Sequence, residues 1–322
     1  MSARATMTLG LAVGLVLLPA GARPVSPTMV KQPKSPPPAE TLFDVLSDHL
    51  RHARADRRWR GPSRHEREAL RAGFRRVVAG CDETSVGEVN RELGPFGFAV
   101  EFLPARFGPL VMIREREDQR TGRGLYVIRC DWPPGIDTPG TPVIIQAPHP
   151  FFDLHTGELV AKLFAEGPFL GAYWSSVHRY RATRDETPEA PIHPGDVAHQ
   201  PGSAFQAATV GAALGHSEVR FVQLHGFSQA TAETDVILSS GDRGLIPHGL
   251  GRNLSPSLGK VWLYGQDTGV LGATTNAQQK ALNEAQPGRF VHVELALGVR
   301  RRLRRDPNLR EELARALRAP WW

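Results

Sequence analysis

The sequence predicts a three-layer α/β/α fold built on a mixed sheet. From Val143 onward, strand-length apolar runs alternate with helical segments, the pattern of helices packed on both faces of a sheet. Before that point, 98–103, 110–114 and 125–130 follow one another as strand-like runs. Thr121-Gly122-Arg123-Gly124 supplies a turn between the last two, so this part reads as a meander at the sheet edge. Two later runs stop at a histidine: Ile144-Ile145-Gln146-Ala147-Pro148-His149 and Phe221-Val222-Gln223-Leu224-His225-Gly226. In open α/β sheets ligands bind beyond the carboxyl ends of the strands, which is where both imidazoles are expected.

The elements are expected in this order. Residues 1–22 have the form of a signal peptide: Arg4 as the basic start, an apolar stretch over 9–18, and Ala20-Gly21-Ala22 as a cleavage site. That stretch is short for a membrane span. The alternative is a later start at Met7. Residues 23–38, rich in Pro, Ser and Lys, read as an extended linker. The remainder, 39–322, is long enough for a single catalytic domain with a full core. Its first helix is expected over 41–54, where Leu42, Val45, Leu46 and Leu50 recur at helical spacing and Thr41 can cap the start. A basic amphipathic helix follows over 66–78. After the meander come a buried strand at 143–147, a helix over 156–164 capped by Thr156, and a strand at 172–177. An Ala-rich helix over 203–214 and strands at 219–224, 236–239 and 290–295 complete the alternation. The closing helical segment, 299–317, is interrupted near Pro307.

Composition narrows the class. The net charge is +6, and its densest basic run is Arg300, Arg301, Arg302, Arg304 and Arg305, with Glu311 and Glu312 beyond. That run reads as a solvated helix face. No basic motif interleaved with aromatics accompanies it, which argues against nucleic acid. Weak attraction to an anionic surface or cell-wall polymer is compatible with the charge. Cys81 and Cys130 are the only cysteines; they fit no zinc-finger or redox motif and are either a disulfide or two separate buried thiols.

The chemistry lies in a histidine–carboxylate set. Two imidazoles and a carboxylate leave Zn²⁺ an open coordination position, and a further carboxylate nearby can act as general base. In the block 149–158 two ligand options overlap: His149 with Asp153, and His155 with Glu158. The first sits right at the strand end. The second straddles a helix start, where Glu158 already complements the helix dipole. Glu294 lies on a covered strand, with Phe290, His292 and Glu294 on one face. A carboxylate there is either used in chemistry or paired, Arg300 being the nearest candidate partner. Arg179 is a candidate for two-point binding of a substrate carboxylate. Asp196 and His199, in a Pro/Gly-rich loop, can line the cleft, orient a ligand histidine from outside the coordination shell, or cap a helix. Thr274-Thr275-Asn276 can bring hydroxyl or amide groups to the same pocket. No G-x-S-x-G, H-E-x-x-H, P-loop or Rossmann fingerprint is present.

Taken together, Pro148-His149, Asp153 and Thr156, then Leu224-His225-Gly226, then His292-Val293-Glu294-Leu295 with Arg300, resemble the zinc carboxypeptidase-like amidohydrolases. The likeness is greatest to the N-formylglutamate amidohydrolase and poly-γ-glutamate hydrolase groups. It runs in patches over 143–305 and implies a carboxypeptidase-like three-layer fold. It further implies zinc ligands His149, Asp153 and His225, Glu294 as base, and Arg179 and Arg300 as substrate-binding candidates. The chain departs from that pattern in carrying Asp153 where the families have glutamate, at a spacing other than H-x-x-E. The implied activity is that of an exported zinc-dependent amide hydrolase acting on a small molecule or peptide: an acylated amino acid, a γ-glutamyl link or a wall-derived peptide. The alternatives are an exported binding protein that keeps the fold without catalysis, and a metal-independent hydrolase using Glu294 with His225.

Overall fold

Five helices among the described residues start on side-chain caps. The computed structural model describes residues 39–56, 58–103, 105, 107–132, 141–181, 193–228 and 230–322. The expected signal peptide and linker lie outside these residues. Lys34–Trp322 forms one compact unit. Helix α1 spans Ala39–Ala55. Helix α2 (Arg64–Ala79) opens on a capping box: Ser63 Oγ accepts from Glu66 N–H, and Glu66 accepts from Ser63 N–H. Asp82 and Ser85 repeat the device at α3 (Glu83–Leu93). That helix was not anticipated from the sequence, because only Val86, Val89 and Leu93 mark its buried face.

Strands β1 (Phe98–Leu103), β2 (Leu110–Glu115) and β3 (Leu125–Arg129) form the expected antiparallel meander. There follow β4 (Val143–Ala147), α4 (Thr156–Glu166), β5 (Gly171–Trp174), α5 (Ala204–Gly215) and β6 (Arg220–Phe227). The chain closes with β7 (Val236–Ser239), α6 (His248–Leu258), β8 (Val261–Leu263), α7 (Ala277–Ala285), β9 (Phe290–Ala296), α8 (Leu297–Arg305) and α9 (Pro307–Arg318). The break before Pro307 falls where the sequence places it, with Asp306 capping α9.

The nine strands form one mixed sheet in the order β1-β2-β3-β5-β4-β6-β9-β7-β8. Its centre, β5-β4-β6-β9, is parallel throughout. Alternate strand residues face opposite layers. Ile145, Val222, Leu224, Val291 and Val293 pack against α1, α4, α6, α8 and α9, while Ile144, Phe221 and Phe290 pack with α2, α3, α5 and α7. The architecture is therefore the expected three-layer α/β/α with a mixed sheet. Cys81 and Cys130 are joined in a disulfide that ties the start of α3 to the end of β3.

Three local expectations are corrected. β6 runs on to Phe227, so His225 lies within the strand and not beyond it; its pairing with β9 continues to Phe227↔Ala296. β5 ends at Trp174 and leaves Ser175 to Val177 as loop. Thr156 is the first residue of α4 and not its cap: the cap position is His155, in the left-handed region at φ 77° with no capping bond from its side chain. The Thr156 hydroxyl instead donates to Asp153 O, closing the 149–155 turn.

Candidate metal centre

Parallel β4, β6 and β9 bring their C-terminal ends to one edge of the sheet, and the histidine–carboxylate set assembles there. His149 follows β4 in a tight turn in which Phe152 N–H and Asp153 N–H both donate to His149 O. That turn swings Asp153 back over the strand end. His225 pairs in register with Glu294, and Gln223 with His292, so these four side chains share a sheet face. His149, Asp153, His225, His292 and Glu294 are all buried.

Within this cluster His149 Nδ1 lies 3.5 Å and His225 Nδ1 3.1 Å from Asp153 Oδ2. Among the described residues neither His149 Nδ1 nor Asp153 Oδ2 has a hydrogen-bond partner. His149 Nε2 lies 2.7 Å from Asp196 Oδ1. A carboxylate only accepts, so Nε2 carries the hydrogen, and for a neutral imidazole Nδ1 is then a lone pair aimed at Asp153. Zinc bonds of about 2.0–2.1 Å in a tetrahedron put neighbouring ligand atoms roughly 3.3 Å apart, matching these separations. The donor set thus fits a divalent metal. A second set, His225, His292 and Glu294, also has ligand atoms close together, but it shares His225 and belongs to the same pocket.

The electrostatics point the same way. Burial opposes ionisation of Asp153, yet the two histidines overcome it and hold its carboxyl well below the ordinary range. Burial likewise disfavours the charged form of His149, but Asp153 and Asp196 outweigh it and raise its pKa. His225 is lowered by burial and by the neighbouring His149, and His292 is lowered far more, by burial and then His225. Glu294 is pushed up to about 8, first by burial and then by the Asp153 charge. Its Oε2 has no hydrogen-bond partner among the described residues.

The remaining anticipated residues are placed as follows. Asp196 stands behind His149 and also faces His199 Nδ1 at 3.0 Å, so His199 is linked to His149 through Asp196. Arg179 is committed to Asp196 through Nη2 at 2.5 Å. Its guanidinium stacks over Phe152 and Tyr180 at the exposed rim, which leaves it a brace for Asp196 whose buried Nε has no partner among the described residues. Arg300 does not pair with Glu294. It donates to Leu154 O and Phe227 O, clamping the 149–155 turn to the end of β6. Gly226 makes this possible, since a Cβ there would lie 2.3 Å from the Arg300 guanidinium. The competing ligand pair is engaged elsewhere: Glu158 binds Arg304 and Lys162, and His155 Nδ1 is 3.9 Å from it.

Sequence reasoning passed over His292 and Gln223. Both show the signal that marked Glu294, a polar side chain at an alternate position of a buried strand. Asn276, noted only as a donor of amide groups, caps α7 and donates to Gln223.

No protein-family profile matches the sequence, and no curated protein does. Among solved structures the chain is similar to an N-formylglutamate amidohydrolase from Ralstonia eutropha JMP134, at 15% identity and TM-score 0.33 over 56% of this chain and 92% of that one. It is also similar to a protein of Shewanella denitrificans OS-217 assigned provisionally as a carboxypeptidase A, at 14% identity and TM-score 0.37 over 71% of this chain and 65% of that one.

Proposed function

We propose that this chain is an exported, zinc-dependent amide hydrolase of carboxypeptidase-like fold. The observation that carries the reading is the convergence of His149 Nδ1, His225 Nδ1 and Asp153 Oδ2 in a buried space, with two of the three atoms lacking a hydrogen-bond partner among the described residues. An arrangement of acceptor atoms facing one another is costly unless a cation sits among them.

His149, Asp153 and His225 would hold the ion and leave one position open. Zinc bound there supplies Lewis-acid polarisation of an amide carbonyl and acidifies water. Asp196 keeps His149 in the tautomer that presents Nδ1, and Arg179 keeps Asp196 in place. Glu294 takes a proton from the attacking water through its free Oε2 and hands it to the leaving amine as the C–N bond breaks. Donor groups facing the reacting carbonyl stabilise the oxyanion; the unpartnered Nε atoms of Arg179 and Arg300 are candidates. The substrate is a small molecule or peptide carrying an acyl, γ-glutamyl or peptide amide. The Cys81–Cys130 disulfide supports an oxidising compartment, and with it export.

Metal content of untagged protein, followed by a screen of N-acyl amino acids, γ-glutamyl peptides and peptide libraries, tests the reading. One equivalent of zinc with hydrolysis of an amide is expected. Zinc without turnover of any amide points to a binding protein, and turnover after complete chelation points to metal-independent chemistry.

A further inference from the structure

Beneath the histidine–carboxylate cluster lies a chain of buried amides hydrogen-bonded side chain to side chain. Gln146, Gln223 and Gln278 have no solvent exposure and Asn276 only 2%. Their orientations follow from backbone anchors. Asn276 Oδ1 accepts from Gln279 N–H at the start of α7, so its Nδ2 is the atom that faces Gln223, at 2.7 Å. Gln278 Nε2 donates to Val197 O and to Gln206 Oε1, so its Oε1 faces Gln223. On the other side the Thr209 hydroxyl donates to Phe205 O and accepts from Gln146 Nε2, which turns Gln146 Oε1 toward Gln223.

Gln223 therefore meets two acceptors, Gln146 Oε1 and Gln278 Oε1, each 3.0 Å from its Nε2, and one donor at its Oε1. One orientation of its amide satisfies all three. Flipping it would set oxygen against oxygen twice and nitrogen against nitrogen once, inside the core. The same Oε1 lies 3.3 Å from His225 Nε2.

We infer that Gln223 is a positioning residue: it fixes His225 as the Nε2–H tautomer and so turns the Nδ1 lone pair toward Asp153. The step from tautomer to metal rests on the zinc reading above. A side-chain carbonyl would then do for His225 what the Asp196 carboxylate does for His149. The two are physically linked, because Gln278 holds the carbonyl of Val197, the residue after Asp196.

The test reads the tautomer directly. Long-range ¹H–¹⁵N correlation spectra of the ¹⁵N-labelled, metal-free full chain, at a pH where His225 is neutral, should show the Nε2–H form. The Nδ1–H form would overturn the inference. Gln223→Met keeps the volume and removes the acceptor; it should mix the tautomers and weaken zinc binding about 10–100-fold, the usual effect of losing an outer partner of a ligand histidine. A folded Gln223→Met protein with the parent's tautomer and zinc Kd would also overturn it. Asn276→Asp offers an acceptor where Gln223 needs a donor, and should shift the tautomer without touching the histidine. A parent chain that shows the Nε2–H form yet binds no zinc supports the role of Gln223 and rejects the zinc reading, so the two fail separately.

Discussion

His225 Nδ1 and Asp153 Oδ2 stand 3.1 Å apart in the core without forming a hydrogen bond. The two residues come from unrelated parts of the chain, one inside a central strand and one in the turn after another. What holds them together is the Arg300 clamp between Leu154 O and Phe227 O, which fastens that turn to the end of that strand. The separation is thus set by the fold.

Ligand variants should therefore rank in a set order. His149→Ala, Asp153→Ala and His225→Ala each remove one of three converging atoms and should lower zinc occupancy sharply. Glu158→Ala and His155→Ala should leave it intact, since Glu158 is an ion-pair partner of Arg304 and Lys162. Competition with a chelator at fixed pH gives the ranking; the reverse order would move the site to His155 and Glu158.

Glu294→Gln preserves the shape of the strand side chain and removes the proton acceptor. With zinc bound and the fold intact, kcat should fall on the order of 10²–10⁴-fold, the usual cost of losing a general base. Loss of zinc in the same variant would make Glu294 a ligand. Turnover at the parent rate would make it structural.

Away from the site, Glu66 tests the core. It is 2% exposed and binds Arg60 and the buried Arg123. Burial opposes its ionisation, but the Arg60 bond, the Ser63 N–H and the two charges lower its pKa from 4.5 to about 2. A depressed carboxyl stabilises the fold fully above 4.5, and that contribution is lost as pH falls from 4.5 toward 2. Acid titration of the melting temperature should show this loss in the parent and lack it in Glu66→Ala. Stripping the buried Arg123 of one of its two carboxylates should also lower the variant's stability at neutral pH, read by urea unfolding.

Much of this was legible in the sequence because burial writes a period. Strand–helix alternation gave the layers, a histidine closing an apolar run marked His225, and a carboxylate inside such a run marked Glu294. Where the period is weak the reading missed elements: α6 carries Pro256 inside it and α7 has one large buried apolar residue, Leu282. Arg179 and Arg300 were read for their charge, but their partners, Asp196 and two backbone carbonyls, are set by tertiary packing. His292 and Gln223 carried a visible signal. Their meaning depended on register, which places Gln223 beside His292 and His225 beside Glu294.

Proton linkage gives the last expectation. In the metal-free chain Glu294 titrates near 8 because it is buried beside Asp153, and the His149 pKa is raised, against its burial, by Asp153 and Asp196. At neutral pH the Glu294 carboxyl is thus largely protonated, and His149 holds more protons than an ordinary imidazole would. A cation among His149, Asp153 and His225 favours the ionised carboxylate and the neutral imidazole, so binding must release protons. Calorimetry of zinc binding near pH 7 in two buffers of different ionisation enthalpy should show that release, and zinc affinity should weaken as pH falls. Stability of the metal-free chain follows the same linkage. A carboxyl raised from 4.5 to about 8 lets the folded state bind more protons than the unfolded one between those values, so its contribution is present below 4.5 and is lost as pH rises toward 8. Zinc should therefore raise the melting temperature more near pH 8 than near pH 6. Glu294→Gln should flatten that difference, and equal stabilisation at both pH values in the parent would place the raised carboxyl outside the reach of the ion.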